Sequence, residues 1–66
     1  MMGFRVFITD GHRGYWTRIV QPDIEFAWLK AEDLLPALKR LATETYGDGP
    51  WRLGVQSGHI KRSAAV

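Results

Sequence analysis

The chain has no cysteine, so disulfides and thiolate metal sites are excluded. That absence suits a reducing compartment, and the cytoplasm is the expected location. Histidine is scarce. His12 and His59 are the only two, and they do not stand at ligand spacing on one element, so no metal centre is expected. Nothing in the sequence calls for a cofactor. No apolar run approaches the roughly 20 residues of a membrane-spanning helix, and no signal-peptide pattern opens the chain, so no membrane role is expected. The cations are scattered, with only Lys39-Arg40 and Lys61-Arg62 adjacent. There is no internal repeat, low-complexity tract or linker. There is no phosphate-cradling glycine loop either. Gly47 and Gly49 follow the helical stretch, whereas such a loop precedes a helix.

What is present fits one small domain. A chain of 66 residues buries only about 60% of its extended surface, and domains of this size usually lean on a staple or a partner. With disulfides excluded, oligomerisation (a homodimer, for instance) or partner binding is the remaining aid. Three Trp, three Phe and two Tyr supply much of the apolar bulk, and the net charge of +2 permits nucleic-acid contact without demanding it.

The strongest periodicity lies between Asp33 and Tyr46. At 100° per residue, Leu34, Leu35, Leu38, Leu41, Ala42, Thr45 and Tyr46 share one side, and Pro36, Lys39, Arg40, Thr43 and Glu44 the other. Asp33 suits the N-cap. Pro36 then falls in the first turn, where its missing N–H costs nothing. An earlier start would put Pro36 in the helix interior at a cost of ~3 kcal/mol. Gly47, followed by Asp48-Gly49-Pro50, marks the stop.

The remainder reads as strands. Phe4 to Thr9 alternates, with Phe4, Val6 and Ile8 on one face and Arg5, Phe7 and Thr9 on the other. Asp10 to Gly14 is a turn. Tyr15 to Val20 is a second, antiparallel strand rich in aromatic and β-branched residues. Gln21-Pro22-Asp23 breaks it. Ile24 to Leu29 alternates again and reads as a third strand, with an early helix start as the competitor. Trp51 to Gln56 is the fourth. The expectation is an α+β fold in two layers, a small antiparallel sheet in the order β-β-β-α-β with one helix on one face. Residues 1–58 form the domain. Residues 59–66 form a basic, mobile tail, with a short edge strand through Ile60 as the alternative.

One helix covers one sheet face, and the other must meet water, a second copy or a partner. Arg5, Phe7, Tyr15, Arg18 and Arg52 are the candidate binding residues, because aromatic and Arg side chains supply most binding hot spots. Tyr15 and Arg18 point to opposite faces of the second strand, so only one of them belongs to the open face. Catalysis has thin support. Asp10 lies beside His12 and an Asp–His pair can orient an imidazole, but no nucleophile or second base stands in a predictable relation to it. Ser57 and His59 are close in sequence only. The expectation is a protein that is not an enzyme.

Several joints between elements resemble those of the HicB-like antitoxin domain. They are Asp10-Gly11, Gly14-Tyr15, Pro22-Asp23-Ile24, and Leu34 to Leu38 around Ala37. The likeness spans about Phe4 to Ala42. The family's Gly-Asp-Thr before the helix is replaced here by Ala31-Glu32-Asp33, and the DNA-binding segment that many members append is not expected. The resemblance implies a stoichiometric inhibitor that masks a nuclease. Inhibitors carried by phages and plasmids, anti-CRISPR proteins among them, share this size and this lack of catalytic motifs. The first functional expectation is therefore a small protein-binding inhibitor of a nuclease or nuclease complex. The second is a small basic protein that binds nucleic acid through an aromatic and Arg sheet face.

Overall fold

A single long helix, α1 (Ile24–Tyr46), lies across a four-stranded antiparallel sheet in the computed structural model, which describes residues 1–66. The strands are β1 (Met2–Thr9), β2 (Gly14–Gln21), β3 (Arg52–Ser57) and β4 (Ile60–Ala65), in the sheet order β2-β1-β3-β4. Two hairpins, β1–β2 and β3–β4, join through the antiparallel pairing of β1 with β3. Both β2 and β3 oppose β1, so they run the same way. A helical crossover is the usual means of linking such strands. The α+β, two-layer class read from the sequence is the class observed.

The core forms where the period-two pattern of the strands meets the period of the helix. Phe4, Val6 and Ile8 of β1 are buried, as are Leu53 and Val55 of β3 and Trp51 just before it. They face Ala27, Trp28, Ala31, Leu38 and Ala42 of α1. The alanines at 27, 31 and 42 leave room for the helix backbone to approach the sheet. No polar or charged side chain is buried. No helix is long and apolar enough to cross a membrane.

Three expectations are corrected. The segment Ile24 to Leu29 is the first part of α1 and not a third strand. Asp23, not Asp33, is the N-cap, and its carboxylate accepts from the Phe26 backbone N–H at 3.0 Å. Ala27, Trp28 and Ala31 then bury at helical spacing, while Phe26 turns outward against the alternation. Pro36 does sit in the helix interior. Its missing N–H strips the Glu32 carbonyl of a donor, and both residues lie on the exposed side, where water serves instead. Burying a large apolar side chain such as Trp28 is worth about 1.5–3 kcal/mol, which offsets the proline.

The second correction concerns the C-terminus. Residues 60–65 form the edge strand β4, paired with β3 from Ser57↔Ile60 to Arg52↔Ala65. Gly58, at φ 55, occupies the first position of the two-residue Gly58-His59 loop, where a type II′ hairpin turn needs positive φ. Arg62 ties this strand to the helix, with Nη1 at 3.3 Å from Glu25 Oε2 and its guanidinium 4.6 Å from the Trp28 ring centre. The third is the helix phase. Leu38 and Ala42 are buried as expected, but Leu41 is 47% exposed and Thr45 is also outside.

Candidate nucleic-acid interface

The open face of the sheet follows from the register. Arg5 on β1 stands between Arg18 on β2 and Gln56 on β3. Phe7 stands between Trp16 and Gly54, and Thr9 between Gly14 and Arg52. On the outer edge, β4 sets Lys61 beside Gln56, Ser63 beside Gly54 and Ala65 beside Arg52. The face thus carries Arg5, Arg18, Arg52 and Lys61 around the rings of Phe7 and Trp16, and it carries no carboxylate.

Three of the four cations rest on rings or a hydroxyl. The Arg5 guanidinium lies 4.5 Å from the centre of the Trp16 ring, and Lys61 Nζ lies 5.8 Å from that of Phe7. Arg52 Nη2 is 3.5 Å from Ser63 Oγ. The two cations that do have a carboxylate within 4.0 Å are Arg62, on the helix side, and Arg13, in the β1–β2 turn. Arg5 and Arg18 are directly opposed, an arrangement that costs stability when like charges face each other across a strand pair.

The carboxylates are elsewhere. Six of the seven lie between Asp23 and Asp48, in the helix and its flanks, against three cations there. The strands and turns hold six cations against one carboxylate, Asp10. Asp10 is spent on its own turn. Its Oδ1 accepts the backbone N–H groups of His12 and Arg13, each at 2.8 Å. The Arg13 backbone N–H, then that of His12, hold this carboxyl below its ordinary value of 3.8. The carboxylate therefore grips the His12 backbone, and the orienting Asp–His contact considered from the sequence is replaced by a turn cap. No group of three or more His, Cys, Asp or Glu gathers where a metal ion could be held.

Two shallow hollows mark the face. One, of about 290 Å³, is lined by Arg5, Arg18, Gln56, Ser57 and the backbone around Gly3 and Gly58. The other, of about 340 Å³, shares Arg5 and Gln56 and adds Phe7, Thr9, His12, Arg13 and Trp16.

Of the residues singled out from the sequence, Arg5, Phe7, Arg18 and Arg52 come together on this face. Tyr15 does not. It faces the helix, with its hydroxyl 2.6 Å from Thr45 Oγ1 and its ring 5.8 Å from that of Tyr46. Trp16 and Lys61 take part although the sequence reading did not choose them. The parity of the four-residue Asp10–Arg13 loop sets Trp16 opposite Phe7, and that parity was the signal available. Lys61 was hidden by the reading of residues 59–66 as a tail. No family model matches this chain, and no curated protein or solved structure does either.

Proposed function

We propose that this protein binds nucleic acid through the open face of its sheet and is not an enzyme. One observation carries the reading: four cations without carboxylate partners surround two aromatic rings on a face that has no acidic residue. Phosphates meet the cations, and bases or sugars meet the rings. Strands are an established means of presenting side chains to nucleic acid. The acid-rich helix layer turns away from the polyanion. The test is fluorescence anisotropy with labelled DNA and RNA oligonucleotides across a salt series. With four phosphates neutralised on a single strand, log K should fall against log salt with a slope of about −3. Absence of binding at low salt, or binding indifferent to salt, rejects the reading.

A second reading, an inhibitor of a nuclease or nuclease complex in the manner of an antitoxin or anti-CRISPR protein, has its own support. Phe26 and Leu29 stand 54% and 59% exposed at i, i+3 on the outer side of α1. Such a pair can anchor a protein partner. The sheet face itself suits that role less, because a nuclease channel built for phosphates is cationic and would repel it. Binding through Phe26 and Leu29 would persist at high salt and be lost in Phe26→Ser or Leu29→Ser. Nucleic-acid binding would survive both changes and be lost in Arg5→Gln.

A further inference from the structure

We propose that the nucleic acid is taken as a single strand, with one phosphate held between Arg5 and Arg18 and the adjoining base stacked on Trp16; this inference rests on the nucleic-acid reading above. Arg5 and Arg18 are cross-strand partners with no carboxylate to neutralise them. Both line the hollow of about 290 Å³, together with Gln56 and Ser57. An anion there relieves the repulsion between the guanidiniums and gains charge-assisted hydrogen bonds from both. The Arg5 guanidinium rests over the Trp16 ring, 4.5 Å from its centre, and a planar fork held there can still turn N–H groups to a phosphate.

The second hollow adjoins the first through Arg5 and Gln56 and contains Phe7 and Trp16. Trp16 is 57% exposed, whereas Trp28 and Trp51 are buried. Two residues along a strand separate the Arg5–Arg18 row from the Phe7–Trp16 row, a step of about 7 Å. An exposed aromatic ring beside a phosphate subsite suits a strand drawn out of its stack, whose bases offer a free π-face. In a duplex those faces are already covered.

The test compares four probes at low salt: a labelled single-stranded DNA oligonucleotide, its RNA equivalent, the DNA duplex, and an abasic strand of the same length. Anisotropy gives affinity, and tryptophan fluorescence reports Trp16, since the other two indoles are buried. At least one single strand should bind about tenfold or more tighter than the duplex and quench the fluorescence. Trp16→Ala should weaken it by about tenfold while leaving the abasic strand unaffected. Arg18→Gln should weaken the single and abasic strands alike, lower the salt slope by about 0.7, and leave the melting temperature unchanged or higher. Duplex binding equal to or tighter than single-strand binding, or full affinity in Trp16→Ala, overturns the inference while the broader reading stands. Failure of every probe to bind overturns both.

Discussion

The Phe7 ring lies over Gly54 of the neighbouring strand, in the space that a side chain at 54 would occupy. A Cβ at that position would run into the ring. Gly54→Ala should therefore force Phe7 to swing aside. Overpacking of this kind costs about 1–3 kcal/mol, partly offset by the ~0.5–1 kcal/mol that alanine gains over glycine in a strand. A thermal melt should show a lower midpoint. An unchanged midpoint, with Phe7 ring shifts unchanged by NMR, would place Phe7 elsewhere.

Tyr15 and Trp16 are adjacent in sequence and should separate cleanly in function. Tyr15→Phe removes the hydroxyl contact to Thr45 and should cost about 0.5–1 kcal/mol of stability, with oligonucleotide affinity intact. Trp16→Ala should do the reverse. Paired melts and binding isotherms for the two variants decide the assignment, and exchanged phenotypes would reverse the faces of β2.

Leu38 and Leu41 test the helix phase. Leu38→Ala deletes a buried side chain and should cost ~2–5 kcal/mol, close to the whole stability of a domain this small. Leu41→Ala and Lys39→Ala should each fall within about 0.5 kcal/mol of the parent. Equal losses at Leu38 and Leu41 in chemical denaturation would restore the wider apolar stripe read from the sequence.

Removing residues 61–66 should be severe. It deletes β4, cuts Arg62 from Glu25 and Trp28, and turns β3 into an exposed edge. A ladder of bonds each worth about 0.5–1.5 kcal/mol sums to a loss on the order of several kcal/mol. The truncated protein should lose its cooperative melt. In less severe truncations, the amides of Leu53 and Val55, which face β4, should exchange faster with solvent. A stable truncation with unchanged exchange would return this segment to the status of a tail.

Asp10 gives a pH dependence. Its folded carboxyl titrates below 3.8 because the Arg13 and His12 backbone N–H groups bind the charged form. Its contribution is thus fully present above the unfolded value and is lost as pH falls through the lower, folded one. Asp10→Ala should lower the melting temperature at neutral pH, and the difference from the parent should vanish in strong acid. A difference that stays constant with pH would show that the turn, not the charge, carries the effect.

The sequence revealed strands wherever one face is buried and the other wet. Phe4, Val6 and Ile8 of β1 and Leu53 and Val55 of β3 alternate for that reason. The second half of α1 was legible through Leu38 and Ala42. The first half was misread because Ile24, Phe26 and Trp28 happen to alternate, and because Pro36 was judged by its intrinsic cost rather than by its exposed position. Asp23 behind Pro22, with Ala27 and Ala31 four apart, was the stronger signal. The Gly58-His59 loop announced a hairpin that the polar character of β4 obscured. Arg5, Phe7 and Arg52 lie on the open face because the parity of β1 and β3 was readable, whereas β2 left Tyr15 and Arg18 as alternatives and the register selects Arg18. Tyr15 fell outside it because parity across the β1–β2 turn depends on loop length, which local propensity does not fix.

The separation of the acid-rich helix layer from the basic sheet gives the molecule an electric moment directed across its two layers. In the field of a polyanion this moment exerts a torque before any atoms touch, so the sheet arrives face-first. Glu32 and Glu44, on the far side from any contact, then influence how often an encounter is correctly oriented. On the nucleic-acid reading proposed above, neutralising them would change the association rate and leave dissociation untouched, giving residues outside the proposed interface a share in its kinetics.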